Sequence, residues 1–313
     1  MARRVAKTVA VIGGSGFIGQ AVSAYLRDRC YAVAVLDLVP PAALPGCRYL
    51  AFDIRCPEPP DFAVADWDAI IVAAGVMAKS CNEDPDAAWA INVTATSRLL
   101  ESVCRYAPRT RVIFLSSGMV YDAQRGRPPF AETASVAGVC TYTRSKLHIE
   151  SALQVPSHGR AMTALILRPF TVFGDGALSR ERGHLFGRWL ELGRQDQPLT
   201  VYGDGSQVID PVPVEYVAEA CHAWLQADPP ASTTLVNVTS GGPLTLRRLA
   251  ELFVAAGLAP GIVSLPGVRA DNGRGWGDAA RFEALVGRTL ARAPEAITAE
   301  FLQRLGRISG EAP

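Results

Sequence analysis

Short runs of Val, Ile and Leu recur through the first half of the chain, each separated from the next by a longer stretch, and several of these stretches are patterned for an amphipathic helix. The runs fall at 8–12, 32–37, 49–53, 69–73, 111–116 and 163–167, and helical patterns cover 17–27, 87–106 and 142–153. Apolar runs this continuous describe strands buried on both faces, and strands separated by helices pair in parallel rather than as hairpins. The prediction is an α/β fold built on a doubly wound parallel sheet. Past Gly174 the pattern changes: 175–205 is richer in charge and glycine, a helix is predicted over 214–226, and the rest mixes short strands with two or three helices. We expect one domain over 1–174 and a smaller one over 175–313. Segments near 206–240 are expected to return to the first, with a strand at 235–238 rejoining the large sheet.

Between the first strand and the first helix stand Gly13, Gly16 and Gly19, three residues apart, in the stretch Val9 to Val22. Such a turn has two uses. Glycine tolerates a tight strand-to-helix connection closed to other residues. It also lets backbone N–H groups at a helix N-terminus approach a pyrophosphate, where the helix dipole favours negative charge. The spacing alone leaves both open. Asp37 ends the second strand eighteen residues after Gly19, where a dinucleotide fold sets an acid on the adenosine ribose hydroxyls. A carboxylate there attracts a free 2′-hydroxyl and repels a 2′-phosphate, which predicts NAD over NADP. Asp53 and Ile54, closing the third strand, are candidates for the adenine edge.

With 313 residues, the chain can bury a substantial core, and a net charge of +1 with no basic run argues against nucleic acid as partner. No apolar stretch reaches membrane-spanning length, and the basic opening MARRVAK lacks a cleavage site behind it. A cytoplasmic protein without a membrane partner is expected. Seven scattered cysteines never form Cys-x-x-Cys, and His148, His158, His184 and His222 lack ligand spacing, so neither disulfides nor a metal site are predicted.

Tyr142 and Lys146 stand four apart in a predicted helix and so share a face. A lysine ammonium beside a phenol stabilises the phenolate and moves tyrosine toward general-base chemistry. Upstream, the fifth strand ends in Ser116-Ser117; the Ser117 hydroxyl is a candidate to hydrogen-bond the substrate oxygen whose proton Tyr142 exchanges.

Nearly the whole chain resembles the extended short-chain dehydrogenase/reductases, and within them the nucleotide-sugar epimerases and dehydratases. The resemblance rests on Gly13-Gly-Ser-Gly16-Phe17-Ile18-Gly19, Asp37, Asp53-Ile54, Ala73-Ala74-Gly75, Ile91-Asn92-Val93, Ser116-Ser117 with Val120-Tyr121, Tyr142-x-x-x-Lys146, Arg168-Pro-Phe-Thr-Val-Phe-Gly174 and Tyr202-Gly-Asp-Gly-Ser-Gln207. It implies a Rossmann domain binding NAD through these glycines with Phe17, Ile18 and Ala74, and a homodimer. It implies Ser117, Tyr142 and Lys146 as the catalytic trio, Lys146 also holding the nicotinamide ribose, with Asn92 in a structural role behind the site.

The departures narrow the chemistry. The dehydratases of this family carry an Asp-Glu pair after the active-site hydroxyl, and here those positions read Gly118-Met119. Neither side chain shuttles a proton, so elimination and decarboxylation are disfavoured. What remains is hydride transfer at a carbinol carbon. The reading is an NAD-dependent epimerase acting on a sugar nucleotide or related activated sugar through a transient ketone. The alternatives are an NAD(P)-dependent sugar dehydrogenase or ketoreductase, and a non-catalytic NAD-binding sensor. Met119 and Thr171 are expected beside the substrate. Where the family has a diphosphate-clamping arginine the chain has Ile209, leaving Arg269, or Arg180 and Arg182, to take over that charge; otherwise the substrate carries no ordinary nucleoside diphosphate.

Overall fold

A computed structural model describes residues 7–56, 67–155, 162–175, 185–228, 232–267 and 275–310. The chain divides into two compact units, one of residues 1–120, 136–168 and 215–236, the other of 121–135, 169–214 and 237–313.

The first unit is built on a sheet whose strands are β1 (Thr8–Ile12), β2 (Ala32–Asp37), β3 (Arg48–Ala51), β4 (Ala69–Val72), β5 (Arg111–Leu115) and β6 (Ala164–Pro169), with Thr234–Val238 returning as the seventh strand. The order is β3-β2-β1-β4-β5-β6 and then 234–238, and every pairing among β1 to β6 is parallel. The order reverses between β1 and β4, which sets the ligand position of a doubly wound sheet beyond Ile12 and Val72. Alternate residues explain the burial. Ala10, Ile12, Ala34, Leu36, Ile70, Val72, Val112, Phe114 and Ile166 pack on one face with Leu99, Leu100, Val103, Ile149 and Leu153, while Val9, Val11, Val35, Ile71, Ile113 and Leu165 between them are equally buried. Both faces are covered, so the strands carry no polar alternation.

The helices of this unit are α1 (Phe17–Arg27), α2 (Ala78–Glu83), α3 (Pro85–Trp89), α4 (Thr96–Tyr106) and α5 (Thr141–Gln154), followed by the helix Val214–Gln226. The continuous helix predicted over 87–106 is interrupted by a π-helical stretch at Ala90–Ala95. Asn92 lies in that stretch with its side chain bonded outside the helix, and the tertiary contact overrides the 3.6-residue period. Lys7 and Arg111 donate to the last carbonyls of the helix 214–226, at Leu225, Trp224 and Ala227, and so tie its end to the foot of the sheet.

Among the described residues, the second unit has three two-stranded pairs: Pro211–Pro213 with Thr171–Phe173, Val208–Ile209 with Leu244–Thr245, and Ile262–Leu265 with Leu199–Tyr202. Its own core holds Phe173, Phe186, Trp189, Leu199, Leu249, Phe253 and Leu302. Phe173 and Phe186 stack at 4.8 Å, and Trp189 meets Phe253 edge-on at 5.5 Å.

Candidate active site

The glycine turn leaves β1 with Gly13 at φ +76°, a backbone angle that side chains rarely adopt. A Cβ there would lie 2.4 Å from the Ala74 nitrogen, and one on Gly19 would lie 2.2 Å from the Gly13 carbonyl oxygen. These two glycines are required by close approach of backbone to backbone. Gly16 differs: a Cβ on it would meet only the Gly13 carbonyl, at 3.2 Å. Gly16 is the N-cap of α1, no side chain caps the helix, and its first turn carries no acid. The first turn, with Phe17, Ile18 and Gly19, therefore presents a bare positive end of a helix dipole.

Asp37 is held at the rim of this turn. Its Oδ2 accepts from the Ser15 N–H at 3.0 Å and its Oδ1 from the Leu38 N–H at 2.7 Å. Each carboxylate oxygen keeps further acceptor capacity. Asp53 is engaged by Arg55, whose N–H, Nε and Nη2 donate to it at 2.7 to 3.1 Å. The Arg55 side-chain bond is the main cause holding the Asp53 carboxyl below its ordinary range. Ile54 and Ala74 pack against the sheet core.

Tyr142 and Lys146 lie on one face of α5 and both are buried. The helix starts where it does because Cys140 and Thr143 form a reciprocal cap, Cys140 N–H donating to Thr143 Oγ1 at 3.2 Å. Lys146 Nζ donates to the Leu115 carbonyl at 2.8 Å and stands 5.7 Å from the centre of the Tyr142 ring. Ser117, two residues past the end of β5, accepts from the Met119 N–H at 3.1 Å, and its hydroxyl lies near enough to the Tyr142 phenol to favour its ionised form. Met119 packs with Tyr142, Cys81 and Ala88, so the wall beside the phenol is apolar and thiol in character.

Here the structure corrects the expected electrostatics. Burial pushes the Tyr142 phenol up to about 12, against the opposing effect of the Ser117 hydroxyl. Burial also pushes Lys146 down to about 8, against the opposing influence of the nearby Cys81 and Glu150 side chains. Desolvation outweighs the ammonium, which is turned to the Leu115 carbonyl.

Asn92 closes the back of this arrangement. Its Oδ1 accepts from the Val76 N–H at 2.7 Å, and its Nδ2 donates to the Val76 carbonyl at 3.0 Å and to Ser145 Oγ at 3.3 Å. A Cβ on Gly75 would lie 3.2 Å from Asn92 Oδ1 and 3.5 Å from Lys146 Nζ, so a side chain there would press on both groups.

In the second unit, the Thr171 N–H donates to the Asp210 carbonyl at 2.9 Å. Ile209 is buried in that unit's core and pairs with Leu244 across the ladder. Its side chain is accounted for by packing. Asp210 beside it is fully buried and takes Thr239 Oγ1 at 2.5 Å, Ser240 Oγ at 2.6 Å, the Ser240 N–H at 2.8 Å and the Gly277 N–H at 3.1 Å. Arg180, Arg182 and Arg269 lie outside the described residues.

Sequence reasoning missed Glu150. It sits one turn beyond Lys146 on α5 and is 2 % exposed. Arg168 Nε and Nη2 donate to its two oxygens at 3.0 and 2.5 Å, and Ser116 Oγ donates to Oε1 at 2.5 Å. The signal available was the spacing Tyr142, Lys146, Glu150, four residues at each step.

A sequence profile for the NAD dependent epimerase/dehydratase family matches residues 9–238. The chain is 28 % identical over 271 residues to a dTDP-6-deoxy-L-talose 4-dehydrogenase (NAD(P)(+)) from Kitasatospora kifunensis, covering 82 % of each protein. It is 25 % identical over 303 residues to a dTDP-L-rhamnose 4-epimerase from Burkholderia thailandensis, covering 81 % of this chain and 82 % of that one. A crystal structure of a UDP-glucose-4-epimerase from Stenotrophomonas maltophila, with bound NAD and formylated UDP-arabinopyranose, superposes with a TM-score of 0.83 at 21 % identity, over 98 % of this chain and 100 % of that one.

Proposed function

The chain belongs to the NAD dependent epimerase/dehydratase family, and we propose that within it the protein is an epimerase that inverts a carbinol carbon of a nucleotide-linked or otherwise activated sugar. The glycine cradle fits the dinucleotide: position 16 is bare at an uncapped helix N-terminus, and Asp37 stands at its rim as a partner for ribose hydroxyls. NAD, when bound, supplies a reversible hydride acceptor. We assign its binding to the first unit and substrate selection mainly to the second.

The chain's own residues handle the proton. Tyr142 Oη takes the proton of the substrate hydroxyl while Ser117 Oγ holds the same oxygen. Lys146 places a positive charge near the phenol, favouring its ionised form as the proton leaves. Oxidation to a ketone, rotation of the ketone and reduction on its other face invert the carbon without net redox change. The observation that carries this reading is Tyr142 close to Ser117 with Gly118 and Met119, rather than two acids, following the serine.

A second reading, net oxidation by a sugar dehydrogenase or reduction by a ketoreductase, is favoured by the 28 % identity to a 4-dehydrogenase. The two differ in cofactor traffic. Incubation with a panel of dTDP- and UDP-sugars, following isomers by chromatography and NADH by absorbance, separates them. Isomer interconversion without NADH build-up supports the epimerase, and steady stoichiometric NADH overturns it. A non-catalytic sensor would have no use for a retained Tyr142 and Lys146.

The homodimer is assigned to the outer face of α5, where Leu147, Ala152 and Val155 line a groove with Trp89, which is 37 % exposed. A cytoplasmic location belongs to the same proposal, in keeping with seven cysteines that are all free thiols.

A further inference from the structure

Two consecutive residues at the end of β5 are each held by an α5 residue, the two being four apart: the Leu115 carbonyl accepts from Lys146 and the Ser116 hydroxyl donates to Glu150. The next residue, Ser117, has its hydroxyl near Tyr142, one turn before Lys146 on the same helix. Tyr142, Lys146 and Ser117 are the residues of the reaction proposed above. Glu150, one turn beyond Lys146, and Ser116, beside Ser117, have no part in it. The Glu150 carboxylate is one of the most buried charges in the unit, and Arg168 on β6 grips both of its oxygens.

A buried ion pair is weak evidence for stability, because desolvating two charges offsets most of their attraction. Its placement asks for another explanation. We propose that Glu150 is a positioning residue for the reaction: held by Arg168, its carboxylate pins the end of β5 that anchors Lys146 and presents Ser117, and it faces the lysine ammonium with the opposite charge.

The groups around Lys146 bear this out. Cys81 faces it from α2, Tyr142 and Glu150 from its own helix, and Arg168 from β6 beyond Glu150; Asn92 in the π-helical stretch and Ser116 and Ser117 are neutral. Cys81 is a buried thiol whose pKa burial raises, so it carries no charge at neutral pH. Glu150 is left as the carboxylate that opposes the loss of the lysine's proton in a buried site.

The proposal rests on the epimerase reading for the role of Lys146, and its test is independent of any substrate. The chain contains three lysines, Lys7, Lys79 and Lys146. Protein labelled with carbon-13 at the lysine ε-carbon gives three NMR signals, assigned by substitution and followed against pH without sugar or NAD. The wild-type Lys146 signal is expected to titrate near about 8. In Glu150→Gln it is expected to titrate about one pH unit lower, with Lys7 and Lys79 unmoved, and Glu150→Asp is expected to restore most of the difference. Because Glu150→Gln leaves Arg168 unpaired, the double variant Glu150→Gln/Arg168→Met is measured alongside it. A Lys146 titration at the wild-type value in either folded variant overturns the proposal. Failure of both to fold also overturns it, by making the pair purely structural. Neither result bears on whether Tyr142 turns over a sugar, so failure here is distinguishable from failure of the proposed function.

Discussion

Two backbone N–H groups, those of Ser15 and Leu38, fix the Asp37 carboxylate beside the glycine turn, and a charge fixed there cannot swing away from an incoming 2′-phosphate. Like charges in contact cost several kcal/mol, so NADP(H) should bind roughly a hundredfold more weakly than NAD(H). Ligand binding raises unfolding temperature by mass action, and a thermal shift with each dinucleotide reads the difference. Asp37→Ser should narrow it; equal stabilisation of the wild type by NADP(H) would contradict the assignment. Lys146 gives a second prediction at this scale. Its pKa is about 8 in the folded chain against an ordinary 10.5, so between those values the unfolded chain binds more protons and stability at this site rises with pH. Tyr142, raised from 10 to about 12, reverses the sign above pH 10. Urea unfolding across the lower window should show a rise that Lys146→Met lacks. Glu150 was not legible at this scale: its partner Arg168 is eighteen residues away on another element, and a glutamate on a helix reads as a solvated face until the fold buries it.

The strand-and-helix alternation was readable because β1, β2, β4, β5 and β6 are buried on both faces, so burial is written directly into their apolar runs, while the edge strand β3 is only partly covered. Elements shaped by tertiary contacts were not. α2 has only six residues and one buried side chain, Cys81, too few for a period to emerge, and the π-helical stretch follows from the bonds of Asn92 to Val76. Ile209 shows the same limit: the sequence marked it as the place of a missing diphosphate arginine, and its burial in the second core became visible only with its strand. The glycine turn was legible as a motif but not as three separate requirements. Gly19→Ala forces a Cβ to within 2.2 Å of backbone and should destabilise the protein by about 3 kcal/mol. Gly16→Ala, with its φ of −76° open to alanine, should keep the unfolding midpoint in urea while weakening NAD binding, as read by calorimetry. Equal loss of stability in both variants would mean that the cradle serves packing alone.

For the molecule as a whole, the dimer assignment predicts that Trp89→Glu shifts sedimentation from dimer to monomer while leaving NAD binding in place; an unchanged dimer would move the interface elsewhere. With Ile209 buried in the second core, diphosphate recognition falls to arginines elsewhere in the chain or is absent. Calorimetry with UDP, GDP and dTDP on the NAD-loaded protein distinguishes these, micromolar binding of any one rejecting a weakened diphosphate site. The central claim is a hydride cycle opened and closed through Tyr142. Its most direct test is to incubate the NAD-loaded protein with a dTDP- or UDP-sugar deuterated at the carbinol carbon, identified from the panel, and to follow isomers and label by NMR together with NADH absorbance. The account predicts both isomers with the deuterium retained, no accumulation of NADH, and turnover about a hundred- to ten-thousandfold slower in Tyr142→Phe. Stoichiometric NADH, deuterium lost to solvent, or full turnover by Tyr142→Phe would contradict it.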